Sequence, residues 1–142
     1  MHPDYRNGAT IAALWQGLGE YITGNNFDYV IGCASIPMQD GGREAAAIMA
    51  WLRERYLSAE HLRVRPKLEL PAVAVAASAE RRLPPLLKAY LSLGARVCGE
   101  AYWDRDFRVA DVFILFDIRN LSPRYARHFL TAGRRPQLRV AA

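Results

Sequence analysis

The chain has 142 residues, 51% of them hydrophobic and 23% charged, and its 19 Lys plus Arg against 14 Asp plus Glu leave a net charge of +5. These proportions exclude a disordered chain and fit a globular domain of common size. No apolar run approaches the ~20 residues that cross a bilayer, and no apolar secretory core follows Met1, so neither a membrane span nor a leader is expected.

The first periodic segment runs from Thr10 to about Thr23. Ile11, Leu14, Trp15, Leu18, Tyr21 and Ile22 share one helical face, and Gly24 stops it. Just ahead of it stands Arg6-Asn7-Gly8-Ala9-Thr10. A glycine before a helix permits a tight turn, and the free N–H groups of a helix start attract anions such as a pyrophosphate. Arg6 adds a direct charge and Thr10 a capping hydroxyl. The same five residues also read as an ordinary capped start, and the spacing of a P-loop is absent.

Tyr29 to Ile36 is apolar at both parities, as in a strand covered on both faces, and Pro37 ends it. Asp40-Gly41-Gly42 is a turn, with Asp40 a cap for a second helix whose stripe is Ala45, Ile48, Met49, Leu52 and Tyr56. Strand, turn and helix alternate here, which places the chain among α/β folds. Val64 to Leu70 reads as extended, with Pro66 and Pro71 confining it to an edge or loop, and Ala72 to Ala79 reads as a connector. Leu83-Pro84-Pro85 opens a third helix that Gly94 stops. Arg96 to Trp103 and Val109 to Ile118 are strands, and Ser122-Pro123 caps a last helix to about Leu130.

The positive charge collects at the C-terminal end. Residues 1–117 are net −1, whereas 118–142 carry six arginines and no acid, a net of +6. Such a block suits an anionic partner or forms a solvated tail. Nucleic acid is disfavoured, because only Tyr125 and Phe129 stand there to stack bases.

Several candidates for chemistry stand out. Asp111 shares a strand face with Val109, Phe113 and Leu115. An acid on an apolar face is either paired, here with Arg96 or Arg108, or functional, with burial raising its pKa. Glu100 and Asp104 precede that strand and read as turn acids or as partners of an amine. Cys33 and Cys98 make no CxxC or metal-ligand spacing, and His2, His61 and His128 are scattered. The thiols read as small buried side chains of a reduced cytoplasmic protein, and no metal is expected.

His2-Pro3-Asp4-Tyr5-Arg6-Asn7-Gly8-Ala9-Thr10 and Ile31-Gly32-Cys33-Ala34-Ser35-Ile36 resemble the GNAT-like N-acyltransferases that make lyso-ornithine lipid, also called hemolysin-like proteins. Leu83 to Leu91, Leu93-Gly94-Ala95, Asp104-Arg105-Asp106-Phe107 with Asp111, and Arg124 to Leu130 continue the resemblance, which covers residues 2 to about 130. It implies an α/β (α+β) GNAT-like fold, a mixed central sheet flanked by helices. Residues 1–131 would form the C-terminal part of the acyltransferase domain, without its N-terminal strands, and 132–142 a basic tail. It implies a cradle at Arg6, Asn7, Gly8, Ala9 and Thr10 and a splayed strand at Tyr29 to Ile36. Ile31 and Cys33 would line the pantetheine arm. The cradle departs from the commoner Q/R-x-x-G-x-G/A pattern: Gly8 stands two residues after Arg6, and Thr10 replaces the second small residue.

The implied reaction moves a long-chain acyl group from acyl carrier protein, or CoA, to the amine of ornithine or a similar amino acid. Asp111, Asp104 and Glu100 are the catalytic candidates. No permanently bound cofactor is expected beyond the acyl-phosphopantetheine donor. Basic charge suits an acidic carrier protein and peripheral contact with an anionic inner membrane. A strand that lacks its neighbour would leave an open edge, so homodimerisation or marginal stability is expected. Two other readings remain: a related acyltransferase with an acyl- or acetyl-CoA donor and another amine, and a non-catalytic basic binding fragment.

Overall fold

The computed structural model describes residues 8–25, 27–74 and 82–120. They fall into two compact units, one holding residues 8–25 with 27 and 28, the other Tyr29–Asn120. Arg6 and Asn7, most of the expected connector, the Ser122–Leu130 helix and the arginine tail lie outside the described residues.

In the first unit, α1 spans Gly8–Gly24. It starts two residues earlier than its apolar period suggests, so Gly8, Ala9 and Thr10 form its first turn. The amide of Gln16 donates to Glu20 one turn on, at 3.2 Å. At the far end the Asn25 amide donates to the Tyr21 carbonyl at 2.8 Å, satisfying one of the orphan acceptors of a helix end. Ile22 is buried, and Tyr21 stacks at a tilt on Phe27, with ring centroids 5.6 Å apart.

The second unit is built around one strand. β4 (Val109–Asp117) is rich in β-branched and aromatic residues, and its side chains alternate between buried and half-buried. Along one edge it pairs antiparallel with β1 (Tyr29–Pro37) over nine residues, from Tyr29 opposite Asp117 to Pro37 opposite Val109. Along the other edge it pairs with two short strands, β2 (Arg96–Val97) and β3 (Tyr102–Asp104). The order is β1-β4-β2, with β3 beside β4. The arrangement is α+β, as expected. Among the described residues its parallel component consists of two isolated bridges, Leu57 to Val97 and Val64 to Gly99.

Arg96 to Trp103 is therefore not the single strand expected. Gly99 breaks it: its φ is +118°, and a Cβ there would lie 2.3 Å from the Val64 carbonyl oxygen. Only glycine fits both the angle and the approach. The chain from Tyr56 to Leu68 borders this interruption. The Ser58 N–H donates to the Val97 carbonyl at 2.9 Å, Val64 to Cys98 at 2.8 Å, and Trp103 to Leu68 at 3.0 Å. Val64 to Leu70 is thus a border segment that bridges at Val64 and bends at Lys67 and Leu68, not a continuous extended run.

Two helices complete the core. α2 (Arg43–Arg55) buries Ala45, Ile48, Met49 and Leu52. Gly42 stands at its N-cap in the left-handed region, and Asp40 does the capping from two residues further out. The Asp40 carboxylate accepts from the Gly42 N–H at 2.8 Å and the Glu44 N–H at 2.7 Å. Those donors, Glu44 first, hold the Asp40 carboxyl below its ordinary range. The depressed value keeps the cap intact at neutral pH and weakens it only as strong acid protonates the group. α3 (Pro85–Ser92) opens on the prolines, buries Leu87 and Leu91, and ends at Gly94, whose φ is +98°. Both helices pack on β1. Tyr90 of α3 meets Phe116 of β4 edge-on, with centroids 5.3 Å apart.

Candidate functional site

The pleat divides the β1–β4 pair into two faces. Even-numbered Ala34, Ile36, Ala110, Val112 and Ile114 are buried in the core. Odd-numbered Tyr29, Ile31, Cys33 and Ser35 are exposed, and Asp111, Phe113, Leu115 and Asp117 opposite them are half-buried. The expectation of a β1 covered on both faces is corrected: Ile31 is 61% exposed. The reading of Cys33 as a buried side chain falls for the same reason, since it faces Phe113 on the uncovered side, whereas Cys98 is buried.

Asp111 lies on this open face, in cross-strand register with Ser35 on one side and Tyr102 on the other. The Ser35 hydroxyl donates to Asp111 Oδ1 at 2.6 Å. The anticipated ion pair with Arg96 or Arg108 is replaced by this hydroxyl partner. Arg96 instead stands opposite Leu115 and donates to the Arg55 carbonyl at 3.2 Å. Arg108 belongs to the β3–β4 turn, with a left-handed φ of 56°. Two residues along β1, the Cys33 thiol is pushed up by its partial shielding from water and then by the negative charge of Asp111.

The other two acids have structural tasks. Asp104 is on the same face, two residues beyond Tyr102, but its Oδ1 accepts the Phe107 N–H at 2.9 Å and closes the β3–β4 turn. Glu100 is not beside Asp111. It makes a bidentate ion pair with Arg53 of α2, at 2.6 and 2.9 Å, and its hydrogen bond raises the Arg53 pKa. That pair rims a cavity of about 390 Å³ between α2 and residues 69–73.

At the opposite end of the face, Arg119 donates to both Asp117 oxygens, each at 3.0 Å, and to the Tyr29 hydroxyl at 2.8 Å. Arg119 is the main cause that lowers the Asp117 pKa. The structure thus brings Ile31, Cys33 and Asp111 onto one surface with Ser35 and Tyr102, which residue types alone did not mark. Only the strand register reveals those two. Gly8, Ala9 and Thr10 form the start of α1 in the other unit, at the positive end of its dipole. A carboxylate set in an apolar strip and held by a neutral hydroxyl can bind an ammonium group and take a proton from it.

The chain is similar to several proteins named L-ornithine N(alpha)-acyltransferase. It is 36% identical to that of Rhodobacter capsulatus over 140 residues, 92% of this chain and 52% of the relative. It is 33% identical to that of Rhizobium meliloti over 141 residues, 93% of this chain and 47% of the relative. The protein of that name from Brucella abortus is 30% identical over 137 residues. The resemblance read from the residues is borne out, and the chain spans about half the length of the curated relatives it matches. No family model matches it. No solved structure matches it.

Proposed function

We propose that this chain is the C-terminal portion of an ornithine N-acyltransferase. It would act in making lyso-ornithine lipid, with a long-chain acyl group on acyl carrier protein as donor. The observation that carries the reading is the likeness, over about nine-tenths of the chain, to relatives that share the name L-ornithine N(alpha)-acyltransferase. The open face around Asp111 supports it.

In this reading Asp111 is the proton acceptor. The ammonium group of ornithine gives up one proton to it, and the freed amine attacks the thioester carbonyl. The C–N bond forms, the C–S bond breaks, and the thiolate leaves. A second proton from nitrogen reaches the departing sulfur, and the one on Asp111 passes to solvent. Ile31 and Cys33 suit the pantetheine arm by their exposure on the open face of β1. Among the described residues nothing pairs with the outer edge of β1. That edge offers backbone donors and acceptors to pantetheine amides, or to a second copy. Sedimentation of the chain as a stable monomer would exclude the dimer.

Among the described residues no helix is long and apolar enough to cross a membrane. The arginines of residues 118–142 would supply contact with an acidic carrier protein in the cytoplasm and with an anionic lipid surface.

The test is acyl-ornithine formation by the full-length protein containing this chain, with acyl carrier protein and acyl-CoA compared as donors. Product from the carrier-bound donor is expected, and Asp111→Asn should lower kcat by about 10²–10⁴. Product from acyl-CoA alone would move the assignment to the CoA-dependent reading. No acyl-ornithine from either donor would overturn it.

A further inference from the structure

We infer that Ser35 is a positioning residue that orients the Asp111 carboxylate without neutralising it, an inference that rests on Asp111 being the proton acceptor. Three observations carry it. The two residues are direct cross-strand partners within a nine-residue antiparallel pairing, two pairs in from its Pro37–Val109 end, so the backbone of both strands fixes their separation. The hydroxyl-to-carboxylate distance of 2.6 Å is that of a short, charge-assisted bond. Between β1 and β4 the neighbouring pairs on the same face are Cys33 with Phe113 and Pro37 with Val109, while on the β3 side Tyr102 stands opposite Asp111 and Asp104 opposite Val109.

The chemistry of the partner decides what Asp111 can do. An arginine in place of Ser35 would orient the carboxylate and also cancel its charge. A hydroxyl fixes Oδ1 and leaves the full negative charge available to a cationic amine. Serine also has a single side-chain torsion to the hydroxyl-bearing atom, so holding this geometry costs little side-chain entropy. The pair is therefore built to receive a positively charged acceptor substrate at Asp111 Oδ2, which accepts no other hydrogen bond among the described residues.

The experiment measures acyl-ornithine formation by the full-length protein carrying Ser35→Ala, Ser35→Thr, Asp111→Asn and the Ser35→Ala/Asp111→Asn double variant. Ser35→Ala should lower kcat about ten- to a hundredfold with little change in the KM for the acyl donor. Ser35→Thr, which keeps the hydroxyl, should recover most of that loss. The double variant should be no slower than Asp111→Asn alone, because the hydroxyl acts only through the carboxylate. If Ser35→Ala keeps wild-type kcat while Asp111→Asn is slow, the positioning role is overturned and Asp111 as acceptor stands. Losses that multiply in the double variant overturn it in the same way. Full activity in Asp111→Asn removes the reading of Asp111 and this inference together.

Discussion

The two faces of the β1–β4 pair are made from the same two strands, residue by residue, and they are put to opposite uses. Ala34, Ile36, Val112 and Ile114 are at most 1% exposed and meet the helices. Their neighbours Ile31, Cys33 and Ser35 are open, and Asp111 lies among them. The covered face gains its stability from apolar area removed from water. The open face forgoes that gain and leaves the Asp111 carboxylate only half-buried. Position in the pleat, more than residue type, decides which task a side chain has, since isoleucine occurs on both faces.

That contrast can be broken by substitution. Ile114→Ala on the covered face should have the largest effect on stability, about 2–5 kcal/mol, read from chemical denaturation. A loss below 1 kcal/mol would show that this face is not the core. Asp111→Asn on the open face should leave the denaturation midpoint almost unchanged and alter its surroundings instead. It removes the negative charge that helps to push up the Cys33 thiol. The thiol then ionises at lower pH, so alkylation of Cys33 between pH 8 and 9 should quicken by a few fold. Cys98, fully buried, serves as the slow internal reference. An unchanged rate at Cys33 would mean that Asp111 does not act on it. The smallest effect belongs to Glu100→Gln, which breaks an exposed ion pair and should cost less than about 1 kcal/mol. A greater loss, or a kcat as low as that of Asp111→Asn, would return Glu100 to the catalytic candidates.

Much of the architecture was legible residue by residue. The stripe Ala45, Ile48, Met49 and Leu52 has one meaning, a helix with a buried face, because the 3.6-residue period is local. The prolines at 84 and 85 and Gly94 marked both ends of α3 through their own backbone limits. Asp40 was legible as a cap because its acceptor reaches N–H groups two and four residues away. Gly99 was not: its strand break depends on the Val64 carbonyl, 35 positions earlier in the chain.

The candidate site divides along the same line. Asp111 stood out in sequence, because an acid in an apolar strand is costly unless it is paired or used. Its partner did not stand out, because Ser35 is one serine among several and lies 76 residues away. The residues alone marked α1 to α3, the central strand, the charge of the last 25 residues and the likeness to proteins named L-ornithine N(alpha)-acyltransferase. Only the tertiary structure decided that β1 is covered on one face, that Gly99 splits a strand, and that Glu100 is tied to Arg53 while Asp111 meets Ser35. Local propensity acts over a few residues, whereas strand register and burial arise when distant segments meet.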